Sequence, residues 1–227
     1  MFDVIFGKKQ SSSFYEFYKR MVKWRESNVY PFSQNLPSSI SFPEDFWSDV
    51  IDLYKETMKD GLERAISVFW ADDELVITSV VRGNETSVSS NHSVNVRYVA
   101  HPTKKEYLRK ELLVDGSVKK KKDVYFKKVP KKITVEYLFN MHTHPPYSMS
   151  DIQKKYSFFS AQDIRSLITS KAIISGLITD RLWLVVRSSD TPSTVDFTDS
   201  DISLDFLKEK MKLGVYMAEF KKKAVKQ

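Results

Sequence analysis

Residues 133–145 read ITVEYLFNMHTHP. Ile133 to Met141 is dense in β-branched and aromatic side chains and predicts a strand. On extended backbone, residues two apart point to the same side. His142 and His144 therefore present their imidazoles together where the strand ends, and such a pair can meet one metal ion. Taken alone, the same spacing also describes two solvated histidines at a strand end.

Working outward from this strand, Ser160-Ala161-Gln162-Asp163 predicts a helix start, with Ser160 as N-cap and a helix from Ala161 to Thr169. Ala172–Ile178 and Leu182–Val186 follow as two buried strands. Upstream, Pro43-Glu44-Asp45 opens a helix to about Asp60, with Phe46, Val50, Leu53, Tyr54 and Met58 on its apolar face. Gly61 ends it. Arg64–Trp70 then predicts a strand, Ala71–Glu74 a hairpin turn, and Leu75–Val81 and Val94–Val99 two further strands. The order predicts a mixed sheet packed by helices, in the α/β or α+β range. Residues 1–43 read as an N-terminal extension, helical over Phe14–Trp24 and loop over 26–43. Residues 44–190 read as the domain. Residues 191–227 read as a C-terminal helix from about Asp201, lined by Ile202, Phe206, Leu213, Met217 and Phe220, with a mobile basic tail.

Composition narrows the functions. With 227 residues, 41% hydrophobic and 29% charged, the chain can bury a core without staples. The lack of any cysteine excludes disulfides, thiolate zinc sites, iron–sulfur clusters and a thiol nucleophile. The start, MFDVIFGKKQ, has no long apolar stretch, and no segment approaches the roughly 20 apolar residues of a membrane span. The expected location is the cytoplasm, with no membrane contact. A net charge of +7 and a pI of 9.3 suggest an anionic partner. Much of the excess lies in a lysine-rich insertion at 117–132. Sparse arginine and the lack of a nucleic-acid-binding motif there favour a solvated loop over a nucleic-acid patch.

The chemistry gathers around the histidines. Asp163, in the first turn of its helix, is a candidate third ligand. Two nitrogens and one oxygen leave the fourth tetrahedral position open, the pattern of a catalytic zinc site. Glu63, between the first long helix and the strand that follows, can serve as general base to a water at such a site. Asp163 alone also reads as ordinary helix-start chemistry, and Glu63 alone as an exposed helix-end residue.

A glutamate, then H-x-H-P, then S-x-x-D resembles the JAMM motif of the JAB/MPN metalloprotease family, here Glu63, His142, His144, Pro145, Ser160 and Asp163. The resemblance spans about Phe46 to Ser188. It implies a cytidine-deaminase-like, three-layer α/β (α+β) fold with a mixed central sheet flanked by helices. It also implies one Zn2+ per chain on His142, His144 and Asp163, with Glu63 as base and Ser160 as donor to the oxyanion. The implied activity is that of an isopeptidase or peptidase acting on a protein substrate such as the C-terminal tail of ubiquitin or a ubiquitin-like protein. Three departures stand out. An insertion, Pro146 to Phe159, separates H-x-H-P from Ser160 and contains a second, shorter match ending at Asp151. Arg64 stands where relatives often carry glycine. The N-terminal extension has no counterpart. The loop 146–159 carries Tyr147, Tyr156 and Phe158 as candidate substrate contacts. The alternatives are a non-catalytic MPN-type binding module and a nucleic-acid-associated JAB-like protein using its basic surface.

Overall fold

A computed structural model of the chain describes residues 11–27, 29–71, 74–77, 80–88, 96–100, 131–145, 157–170 and 172–227. Tyr147, Tyr156, Asp151 and most of the lysine-rich insertion lie outside the described residues.

The strands are β1 (Ser11–Ser13), β2 (Ser39–Ser41), β3 (Arg64–Ala71), β4 (Glu74–Ile77), β5 (Val81–Arg82), β6 (Val96–Ala100), β7 (Lys131–Thr143), β8 (Ile174–Ile178), β9 (Leu182–Val186), β10 (Gly214–Ala218) and β11 (Ala224–Lys226). The helices are α1 (Phe14–Ser27), α2 (Glu44–Asp60) and α3 (Ala161–Thr169). The sheet runs β1-β2-β11-β10-β9-β8-β7-β3-β4, with β5 paired to β3 and β6 to β7. The β1/β2 and β7/β8 pairs are parallel and the others antiparallel, so the sheet is mixed.

Both faces of the sheet are covered. Neighbouring strand residues alternate between two cores, as the two-residue period requires. Ile174, Ile178, Leu184 and Tyr216 pack with Phe17 and Met21 of α1 and Trp47 and Val50 of α2. Leu177, Val185 and Val215 pack with Ile164 and Leu167 of α3 and with Leu207 and Met211. The mixed sheet flanked by helices is therefore as expected. No helix among the described residues is long and apolar enough to cross a membrane.

Two expectations are corrected. The chain after Asp201 is not one helix. A single π-helical turn, Phe206–Lys210, is followed by β10 and β11. The wide spacing of Leu213, Met217 and Phe220 suits a helix, but 213–218 also alternates. Val215 faces one core and Tyr216 the other, and pairing of Gly214–Ala218 with β9 decides between the two readings. Leu36 packs so closely on Gly214 that a Cβ there would lie 2.3 Å from its Cδ1. The expected mobile tail instead pairs with β10 and β2.

The second correction concerns the N-terminal segment, which does not stand apart from the domain. Phe14, Phe17 and Met21 of α1 and Ile40 of β2 are buried in the same core as α2. The Tyr216 hydroxyl donates to the Pro37 carbonyl at 2.7 Å. The Phe14–Met21 spacing is that of an amphipathic face, and this face finds its partner on the sheet.

Helix α2 ends at Gly61, whose left-handed φ of 70° suits glycine; its N–H donates to the Thr57 carbonyl. Arg64 clamps the same end. Its Nη1 and Nη2 donate to Asp60 Oδ1 and Oδ2 at 2.8 and 2.6 Å, and Arg82 adds a bond to Oδ2. These guanidinium bonds hold the Asp60 carboxyl well below the usual carboxylate range. A depressed folded value stabilises the fold above the unfolded value, and the gain is lost as pH falls below about 4. Asp60→Asn is therefore expected to lower the unfolding midpoint near pH 7, with the gap to wild type narrowing in acid. Urea titrations across pH measure this, and a gap that persisted undiminished toward pH 2 would remove the ion pair as its cause.

Candidate metal centre

Strand β7 is central, and its last residues are fixed on both edges. Ala65 of β3 and Leu177 of β8 both pair with His142. Just past the strand, the His144 N–H donates to the Ile178 carbonyl at 3.1 Å. The alternation turns His142 and His144 to a cleft of about 1100 Å³ and turns Thr143 away from it, to full burial.

Asp163 arrives from α3. The helix opens with a capping box: Ser160 Oγ accepts from the Asp163 N–H at 3.2 Å, and Asp163 Oδ2 accepts from the Ser160 N–H at 2.8 Å. The Ser160 hydroxyl also donates to Oδ2 at 2.8 Å. With Oδ2 held this way, Oδ1 lies 3.3 Å from His142 Nε2. The two Nε2 atoms are 3.0 Å apart, and Asp163 Oδ2 is 4.0 Å from His144 Nε2.

These three side chains form a group that can hold a metal ion, their ligand atoms all within 4.8 Å of one another. Two of the three spacings, 3.0 and 3.3 Å, are those of ligands on one ion, and the third, from His144 to Asp163, is longer. Ligands bound tetrahedrally at about 2.0–2.1 Å lie about 3.3 Å from each other. Two imidazole nitrogens and a carboxylate oxygen suit zinc and its first-row neighbours. Burial alone would raise the Asp163 carboxyl, but His142, His144 and the Ser160 N–H outweigh it and keep it ionised.

Glu63 is buried beside this group, its Oε1 3.9 Å from His144 Nε2. Its backbone is pinned on the other side: the Glu63 N–H donates to the Asn84 carbonyl and its carbonyl accepts from the Gly83 N–H, both at 2.8 Å. Burial pushes its carboxyl up to about 7, opposed by His142 and aided by Asp163. A carboxylate poised there can take and return a proton near neutral pH.

The five expected polar residues Glu63, His142, His144, Ser160 and Asp163 thus come together from three separate segments. Phe158 lines the cleft, its ring 4.9 Å from that of Trp183. Three contributors were not anticipated. Asn84 organises the turn against Glu63, its Oδ1 accepting from the Thr86 and Ser87 N–H groups. Asp199 caps α3 by accepting from the Ala161 N–H at 2.7 Å. Thr143, between the histidines, carries a buried network described below. Only the Asn-x-Thr turn chemistry had a local signal.

Comparison of the chain with protein-family models, with curated proteins and with solved structures finds no match to any of them.

Ser160→Ala removes a cap and one bond to a candidate ligand. It is expected to cost about 1 kcal/mol of stability and to weaken metal binding by about tenfold or more. Denaturant midpoints and metal titration check the two effects. Unchanged metal affinity would mean that the Ser160 bond to Asp163 does not tune the ligand.

Proposed function

We propose that the chain is a metal-dependent hydrolase of the JAMM/MPN type, a zinc isopeptidase or peptidase acting on a protein tail such as that of a ubiquitin-like protein. The observation that carries this reading is the convergence of Glu63, His142, His144 and Asp163 at one end of the β3–β7–β8 sheet, in the order and on the elements the motif requires.

In this reading His142, His144 and Asp163 hold the ion. When bound, it supplies a Lewis acid that brings the pKa of a water down toward about 7. Glu63 accepts the proton of the water that attacks the scissile carbonyl. The C–O bond forms and the C–N bond breaks, and Glu63 returns the proton to the leaving nitrogen, which departs as an amine. The Ser160 hydroxyl serves the oxyanion by exchanging its bond to Asp163 for one to the developing charge. Phe158, which lines the cleft, contacts the substrate tail, a role this reading extends to Tyr147 and Tyr156.

The test is a panel of peptide-linked and isopeptide-linked ubiquitin-like substrates, incubated with wild-type protein, with a chelator, and with the chelated protein reloaded with zinc. Cleavage lost to the chelator and restored by zinc supports the reading. A zinc-loaded protein that cleaves no peptide or isopeptide bond overturns it.

A further inference from the structure

On the side of the sheet away from the cleft, a polar network joins the residue between the two histidines to the residue after Glu63. Thr143 Oγ1 accepts from the Arg64 N–H at 2.9 Å and lies 2.7 Å from Thr57 Oγ1. Thr57 Oγ1 accepts in turn from Arg64 Nη1 at 3.2 Å. The guanidinium also donates to the Leu62 carbonyl at 2.9 Å, to Asp60, and through Nε to Glu56 at 3.3 Å. Thr57 and Thr143 are fully buried and Arg64 nearly so. Hydroxyls and a guanidinium removed from water are costly unless their bonds are made, and here those bonds tie three elements together. One is the last turn of α2, another the start of β3, and the third the end of β7.

We infer that Thr143, with Thr57 and Arg64, positions both imidazoles for metal binding: it is a positioning residue acting through the backbone of His142 and His144. The inference rests on the metal-centre reading above. Residues 142–144 cannot tilt about the strand axis without breaking the bond to the Arg64 N–H, and that N–H belongs to the residue following Glu63. One buried hydroxyl therefore fixes the ligand pair and the candidate base relative to each other. This gives arginine at position 64 a function where glycine could not serve, because glycine has no guanidinium to reach Thr57 and Asp60.

The test is Co2+ titration of the metal-free full chain, followed by the visible d–d absorption bands, on wild type, Thr143→Val, Thr143→Ser and Thr57→Val. Thermal unfolding of each metal-free protein is measured in parallel. Thr143→Val keeps the shape and removes the hydroxyl. It is expected to bind Co2+ about 10- to 100-fold more weakly, with altered band intensities. Thr143→Ser restores the hydroxyl and is expected to return affinity and bands close to wild type. Thr57→Val, which leaves residue 143 intact, is expected to weaken binding in the same direction and serves if Thr143→Val does not fold. Folded valine variants with wild-type affinity and bands would overturn the inference and leave the metal centre standing, the network then serving stability alone. A wild type that binds no Co2+ would overturn both.

Discussion

Glu63→Gln is expected to bind metal as the wild type does and to lose about 10²- to 10⁴-fold in turnover. Its carboxylate lies next to the ligand group but is not part of it. The substitution keeps the shape and removes the proton acceptor. Stability supplies a second signature. In the metal-free protein, burial makes the ionised carboxylate unfavourable, which is why it titrates near 7. An amide escapes that cost, so the variant is expected to be at least as stable as wild type at pH 8. Most substitutions of buried residues destabilise a fold. Metal content, turnover on a cleaved substrate and the thermal midpoint together decide the matter. Turnover near the wild-type rate would remove Glu63 from the reaction, and loss of metal would make it a ligand.

Ile164→Ala is expected to cost about 2–5 kcal/mol, the largest stability effect of a single substitution near the site. Ile164 is fully buried next to Asp163 and packs with Leu167, Leu177 and Val185. The cavity would loosen the seat of α3 on the sheet, and α3 delivers Asp163. Metal affinity is therefore expected to fall together with stability. Urea unfolding with parallel metal titration checks both. A loss below about 1 kcal/mol would mean that the helix is held mainly by its caps and not by this face.

Much of the site could be read along the chain because its parts are local. The strand 133–141, the i and i+2 histidines, and the Ser160–Asp163 cap each leave a short pattern. The helix 44–60 and the strand 182–186 are found at the expected bounds, for the same reason. The helix from Ala161 and the two strands after it are legible in the same way, and that helix brings Asp163 to the histidines. What could not be read was pairing at a distance. Leu213 to Ala218 carries both periods, and only β9 shows which is used. The helicity of 14–24 was legible, but its burial against Phe139 and Ile40 was not. The Thr57–Thr143 contact joins residues 86 apart and has no signature in either neighbourhood.

The proposed chemistry depends on a metal held by His142, His144 and Asp163. The most direct test is metal content per chain, by elemental mass spectrometry, on wild type and Asp163→Ala expressed and purified in parallel. Close to one zinc per wild-type chain is expected, and little in the variant, with both proteins folded. A folded wild type free of zinc and of other divalent metals, and unable to take up zinc when it is supplied, would contradict that chemistry.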